Sequence, residues 1–408
     1  MEKKEYNKMS RRGFIITGSA VLALLAAGSG GVGYLLNKLN RLGVKPDKIK
    51  VKPDMLSGNT LFRRYPVLIE SIPWTPIRHS PTPVIEWEMA PAMEVQNIWV
   101  KCDNMTSPAY GGNKVRKLEH LLADAMLRER KSIITIGGLG SNHALATAIH
   151  GKAFGFDIHL CLFDQPVTSF VRRNLRGFLA AGARIHHSHS MKDAYLNARR
   201  LFKSQEKEGR APYFILSGGT CGLSNVGYVN AAMELAEQIQ EGLLPVPDKI
   251  FVAAGTCGTI SGLIAGLKIA GLPTKVMGVR VVDSFPAYKY FIRYYAQKVA
   301  DHLHKHDFSV PRINIRRNDF ELLTGYLGEG YGVVTSEGKK AVEMASPEMN
   351  LETTYTGKTL AACLDYCTTT GKNEKILFWN TYNSAVFPEV NSTKGLPEKI
   401  LHQLTPTS

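Results

Sequence analysis

Residues 111–119, Gly-Gly-Asn-Lys-Val-Arg-Lys-Leu-Glu, crowd three cations, Lys114, Arg116 and Lys117, behind two glycines and Asn113. Leu118, Leu121, Leu122, Ala125 and Met126 then recur at helical spacing, which places Lys114 at a loop-to-helix junction. At that position the like charges of Arg116 and Lys117 and the positive helix end all disfavour the ammonium form. A neutral amine attacks carbonyl carbon, and a Schiff base with an aldehyde is the chemistry it suits. Taken alone, the stretch reads more readily as a basic helix start facing solvent.

A residue with that chemistry needs elements to hold it, and three strand–turn–helix units supply them. Ser132–Ile136 is β-branched and reads as a buried parallel strand; it runs into Gly137-Gly138-Leu139-Gly140-Ser141-Asn142-His143 and an alanine-rich helix ending at Ala153. Phe214-Ile215-Leu216-Ser217-Gly218-Gly219-Thr220 repeats the pattern ahead of a helix over Tyr228–Gln240. Lys249–Ala254 leads into Gly255-Thr256-Cys257-Gly258-Thr259, with Ile260–Ile269 helical behind it. Small residues, hydroxyls, several N–H donors and a positive helix end make this last loop an anion cradle. No Gly-Lys-Ser/Thr follows and the Rossmann glycine spacing is missing, so it is neither a Walker nor a dinucleotide loop, and alone it is as readable as a tight turn. Further strands are expected at Ile98–Lys101, Ile158–Phe163, Ala183–His186, Val276–Val282 and Ile376–Trp379, and helices at Phe170–Ala181 and Asp193–Glu208. The alternation predicts an α/β protein.

The 408 residues suffice for two domains, and 44% apolar content with 37 glycines argues against disorder. The net charge of +15 is concentrated: residues 1–53 hold 11 Lys and Arg against Glu2, Glu5 and Asp47. We read the excess as membrane-surface and topology charge and not as a nucleic-acid footprint. The six cysteines form no CxxC pair, so a zinc site or disulfide scaffold is not expected. His186, His187, His189 and His302, His304, His306 form two local clusters, and no metal site is expected from them. Ser10-Arg11-Arg12-Gly13-Phe14-Ile15 resembles a twin-arginine export signature, and no charge interrupts the 25 residues from Gly13 to Asn37. That length spans a bilayer as a helix, so the expectation is a membrane-anchored or exported, periplasmic protein with contact through residues 13–37, or a protein held on the cytoplasmic face if the segment is only an anchor.

Six motifs occur in one order: GGNKVRKLE, Ser-Asn-His, LSGGTCGLSNVGY, AAGTCGT, GEGYG and TYTGK. Together, over residues 95–385, they resemble the pyridoxal-phosphate enzymes of the D-cysteine desulfhydrase and 1-aminocyclopropane-1-carboxylate deaminase group, within the tryptophan synthase β-like fold. The resemblance implies pyridoxal 5'-phosphate as cofactor, a small amino acid as substrate, a homodimer, and two doubly wound parallel-sheet domains behind an N-terminal signal or anchor helix. The twin-arginine-like motif and the uncharged run bound the signal or anchor at 1–37, and the Lys, Pro and Gly of 38–60 read as a linker. The large domain would then hold 60–115 plus 221–400, and the small domain 116–220. The resemblance implies Lys114 as the Schiff-base lysine and proton shuttle, with Asn113 beside it. Asn142 would bond the pyridine 3-hydroxyl, and Ser141 would lie near the substrate carboxylate and leaving group. Gly255, Thr256, Cys257, Gly258 and Thr259 would hold the phosphate. Tyr331 and Tyr355 would be active-site tyrosines, and Thr356 would face the pyridine nitrogen. From residue type alone, Ser141 is equally a helix cap, and the tyrosines are equally core residues.

Deaminases of the group place Glu where Thr356 stands, and desulfhydrases a hydroxyl residue. A hydroxyl cannot hold the ring nitrogen protonated, which favours β-elimination. Thr381 also matches the desulfhydrase pattern. Elimination to a keto acid and ammonia, with sulfide from D-cysteine, is therefore the expected activity, and cyclopropane deamination the alternative. One segment departs from the pattern: the family's approximate His-Thr-Gly-Gly is here Asn380-Thr381-Tyr382-Asn383. Cys102 stands for a usual Arg, and Cys257 lies within the phosphate loop. These departures motivate a further alternative, a membrane-tethered pyridoxal-phosphate-binding protein without turnover.

Overall fold

A computed structural model describes residues 58–88, 95–283, 287–346, 348–390, 396–397 and 400–401. In chain order the elements are α1 (Thr60–Arg64), β1 (Val84–Glu86), β2 (Ile98–Lys101), α2 (Lys114–Leu127), β3 (Ser132–Gly138), α3 (Asn142–Ala153) and β4 (Asp157–Phe163). There follow α4 (Ser169–Ala180), β5 (Arg184–Ser188), α5 (Met191–Lys207), β6 (Pro212–Ile215), α6 (Gly222–Gln240), β7 (Lys249–Ala254) and α7 (Gly258–Ile269). The last are β8 (Lys275–Arg280), α8 (Lys289–His306), β9 (Phe320–Leu323), α9 (Ser336–Ala345), α10 (Thr356–Thr369) and β10 (Ile376–Trp379).

The strands form two sheets, ordered β1-β2-β10-β7-β8-β9 and β5-β4-β3-β6. Every pairing is parallel except β1 with β2. Parallel strands are covered on both faces, and side-chain alternation shows the covering here. On β7 and β10, Ile250, Val252, Leu377 and Trp379 enter one core, while Phe251, Ile376 and Phe378 enter another. In the smaller sheet every residue of β3 is buried. The α/β architecture with parallel sheets expected from the alternation is thus present.

Helix α6 packs closely on α7 because Gly262 and Gly266 leave room: a Cβ at Gly262 would meet Tyr228 Cβ at 2.4 Å, and one at Gly266 would meet Ala232 Cβ at 2.6 Å. Helix α6 starts six residues before the expected Tyr228. Its first turn, Gly-Leu-Ser-Asn-Val-Gly, has loop composition, but Ser224 Oγ accepts the Cys221 N–H at 3.0 Å and closes the helix start. Strand β9 and helices α8, α9 and α10 lie outside the elements expected above, although Ile292, Ala296, Val299, Ala300 and Leu303 recur at helical spacing along α8 and are buried. Helix α10 is short of strong polar–apolar contrast because it is buried along most of its length.

The expected localisation needs correction. Among the described residues no helix is long and apolar enough to cross a membrane. The twin-arginine-like segment and span at residues 1–37 lie outside the described residues, so the membrane-anchored or exported assignment has no structural support.

Candidate active site

Helix α2 begins at Lys114, and the loop before it is pinned by backbone bonds. Gly112 N donates to Asp103 O (2.9 Å) and Asn113 N to Thr381 O (3.1 Å). Gly112 has φ +90°, and a Cβ there would come within 2.8 Å of Thr381 O, so only glycine fits. Gly111 N donates to Asn383 Oδ1 at 2.6 Å. Asn383, one of the departures noted above, therefore holds the lysine loop against the end of β10.

The two faces of α2 solve burial differently. Arg116 is fully buried, and its Nη2 meets Asp103 Oδ1 at 2.6 Å and Glu234 Oε1 at 2.9 Å. Lys101 Nζ meets Glu234 Oε1 at 2.6 Å, while Tyr228 OH and Trp379 Nε1 each donate to Asp103 Oδ2 at 2.7 Å. Burial would raise the Asp103 carboxyl, but the Arg116 guanidinium outweighs it and holds it below its ordinary value. Lys114 has no ion pair among the described residues, and burial lowers its pKa to about 8. The direction agrees with the sequence argument and the cause differs. Arg116 lies two residues on, turned toward its own acids and neutralised there.

Lys117, three residues on and on the same face, is lowered well below the ordinary lysine value by burial and then by Lys114. Its Nζ donates to Gly218 O and Thr220 Oγ1, both at 3.1 Å.

Eleven of the twelve residues singled out from the sequence line one cavity of about 400 Å3. They are Asn113, Lys114, Ser141, Asn142, Gly255, Thr256, Cys257, Gly258, Thr259, Tyr331 and Tyr355. Ser141 is also a cap, its Oγ accepting the Ala144 N–H at 3.2 Å. Asn142 Oδ1 receives Tyr110 OH (3.1 Å) and Asn174 Nδ2 (3.2 Å), which leaves its amide N–H groups for the cavity. Cys257 opens α7 in the left-handed conformation, φ 65°, and burial raises its thiol to about 12. Asn113 Nδ2 donates to Thr259 Oγ1 at 3.1 Å, and the Thr220 and Thr256 hydroxyls pair at 2.7 Å. Tyr331 and Tyr355 share a hydroxyl–hydroxyl bond, and burial lifts Tyr331 to about 12.

The twelfth residue is elsewhere. Thr356 is buried, does not line the cavity, and sets its Oγ1 3.2 Å from Glu352 Oε1. Glu352 itself lines the cavity and accepts the N–H groups of Thr354, Tyr355 and Thr356 at the start of α10. Burial raises its pKa against those bonds. The sequence reasoning missed Glu352, Lys117 and Gln165. Only Lys117 had a signal, its i+3 spacing from Lys114. Tyr382, a departure from the expected glycine, forms part of the cavity wall and packs edge-on against Phe170 at 5.8 Å. His143 lines the cavity as well. Thr135 gives its hydroxyl proton to Ile215 O, so it accepts from His143 Nε2–H, and burial keeps that ring neutral.

These residues fit a pyridoxal phosphate. The loop following β7 offers small residues, two hydroxyls and the N-terminus of α7 to a phosphate. A Cβ at Gly258 would strike Lys117 Nζ, Thr220 Oγ1 and Asn225 Oδ1, each at 2.6 Å, so the cradle depends on glycine. Both polar atoms of the buried Asn225 amide lack a hydrogen-bond partner among the described residues. The buried amine of Lys114 stands in the same cavity.

Comparison with known proteins agrees. Residues 77–381 match the model of a family described as pyridoxal-phosphate dependent enzymes. The chain is 33% identical to the mitochondrial bifunctional D-cysteine desulfhydrase/1-aminocyclopropane-1-carboxylate deaminase of Arabidopsis thaliana, covering 75% of this chain and 77% of that protein. It is 31% identical to a D-cysteine desulfhydrase of Salmonella paratyphi B, covering 66% of this chain and 81% of that one. A crystal structure of an ACC deaminase homologue superposes with a TM-score of 0.69 at 26% identity, over 81% of this chain and 95% of that chain. The chain belongs to the family of pyridoxal-phosphate dependent enzymes, with pyridoxal phosphate as its cofactor.

Proposed function

We propose that this enzyme is a lyase that removes the β-substituent and the amino group of a small amino acid, with D-cysteine the first substrate to test. One observation carries the reading most: Lys114 presents a buried amine, lowered to about 8, in the cavity that also holds the Gly255–Thr259 loop. When bound, pyridoxal phosphate supplies an aldehyde for the substrate amine and a ring that withdraws electrons from Cα. Lys114 takes and returns the Cα proton, which its lowered pKa permits near neutral pH. Lys117 and the loop hydroxyls bind the phosphate, and the Asn142 amide donates to the ring hydroxyl. The Tyr331–Tyr355 pair, held protonated, donates to the departing group, and Ser141 orients the carboxylate. The 60–115 plus 221–400 and 116–220 division and a homodimer belong to this proposal.

A second reading, deamination of 1-aminocyclopropane-1-carboxylate, draws on Glu352. Its carboxyl stands at the cavity although Thr356 occupies the family's acidic position. Thr381, which lines the cavity and matches the desulfhydrase pattern, favours elimination.

The test is the visible absorbance of the purified protein with pyridoxal phosphate, beside Lys114→Ala, followed by assays on both substrates. A cofactor band lost in the variant, and sulfide released from D-cysteine, is the expected result. Keto acid from the cyclopropane substrate without sulfide from D-cysteine would select the second reading. A band but no product from either substrate would overturn both.

A further inference from the structure

Strands β4 and β5 pair in parallel, with Leu162 opposite His187 and Phe163 opposite Ser188. The next residue on each strand is therefore brought to the same sheet edge: Asp164 after β4 and His189 after β5. His187 and His189 are two apart on an extended chain, so their imidazoles leave on one side. Both reach the same carboxylate: His187 Nε2 lies 2.6 Å from Asp164 Oδ1, and His189 Nδ1 lies 3.1 Å from Asp164 Oδ2. Donor atoms of all three residues fall within 4.8 Å of one another. Asp164 and His189 line the rim of the cavity that contains Lys114.

We propose that Asp164, His187 and His189 form a binding site for a divalent transition-metal ion at the rim of the active-site cavity. Two imidazoles and one carboxylate are a borderline donor set that suits zinc, cobalt, nickel or copper. Magnesium and calcium prefer oxygen donors throughout. Three protein ligands leave at least one coordination position open. The side chain of His187 is 5% exposed and anchored in the sheet, while those of Asp164 and His189 are 33% and 68% exposed. The site thus combines a fixed ligand with a path for an ion to enter from solvent. Register between two strands, not sequence proximity, sets the geometry, so the His186–His189 run alone did not reveal it. A bound ion's open position is available to an anionic group of a molecule entering the cavity, such as a carboxylate or thiolate.

This proposal is independent of the lyase reading, because its test reads binding alone. The full-length protein, with and without added pyridoxal phosphate, is dialysed against Co2+, and metal content and visible d–d bands are recorded. We expect one Co2+ per chain, displaced by Zn2+, with at least tenfold weaker binding in His189→Ala. His189 is exposed, so that variant is expected to fold. His302→Ala is the control, because His302 and His306 form another close imidazole pair, with rings 4.6 Å apart on α8, and it should bind as the wild type does. Absence of retained Co2+, equal binding by wild type and His189→Ala, or loss in His302→Ala alone would overturn the proposal. So would an intense thiolate charge-transfer band, which would place the ion on a cysteine.

Discussion

Arg116 and Lys114 stand two residues apart on one helix, Arg116 fully buried and Lys114 half-buried against the cavity, with opposite electrostatic outcomes. Arg116 stays charged because Asp103 and Glu234 surround it and themselves receive Tyr228, Trp379 and Lys101. Lys114 has no such partners among the described residues and loses affinity for its proton. Burial alone therefore does not decide a cation's state; the acids within reach do. The helix uses its paired face to fix its position and its unpaired face to hold a reactive amine.

Removing the reactive side gives the largest effect. Lys114→Met should reduce turnover to background, measured with saturating pyridoxal phosphate. The same variant tests the pKa. The fold favours the neutral amine, so charging it costs stability. That cost, on the order of 3 kcal/mol, is full below pH 8, declines as pH approaches the ordinary lysine value, and vanishes above it. Lys114→Met in the cofactor-free protein should accordingly melt higher than wild type at neutral pH, with the gap closing in alkali. A lower melting point at every pH would contradict the assignment.

On the paired face, Arg116→Met takes the guanidinium from buried Asp103, leaves Glu234 with Lys101 and Arg78, and should cost about 3–5 kcal/mol, seen as a lower urea midpoint. A shift of under about 1 kcal/mol would show that the acids protonate cheaply and that the network does not anchor the helix. Lys117 lies between the two cases, buried among hydroxyls and a carbonyl. Lys117→Gln shortens a donor that reaches the phosphate loop and should weaken pyridoxal-phosphate binding roughly tenfold to a hundredfold. The smallest effect is expected at the wall: Tyr382→Phe removes only a hydroxyl and should change KM by about twofold or less. A kcat loss comparable to that of Lys114→Met would instead make Tyr382 a participant in the chemistry.

Much of this arrangement was legible beforehand because it depends on short-range pattern. The β-branched run Ser132–Ile136, the strand Lys249–Ala254 and the glycine turns behind them each announce themselves within about ten residues. Lys114 was found from its position before a helical repeat. Glu352 was not, because Asn-Leu-Glu-Thr-Thr has no period and the carboxylate acts through backbone N–H groups two to four residues on. The emphasis on Thr356 had the same cause: a motif gives identity but not the side-chain direction, and here the hydroxyl turns to Glu352. The Arg116 network was hidden for a third reason. Its members at 101, 103, 116, 234 and 379 meet only through tertiary structure.

The strand order bears on how the chain is made. Strand β2 has only β1 and β10 as neighbours, so its pairing on one side waits for residues 376–379. The smaller sheet also waits: its core includes Phe387, which lies over Gly177, where a Cβ would meet the ring at 2.7 Å. At ribosomal rates of roughly 5–20 residues per second, on the order of ten seconds separate emergence of β6 from that of Phe387. Neither half can finish folding as it leaves the ribosome, and the nascent chain holds open apolar surface until its last segment arrives.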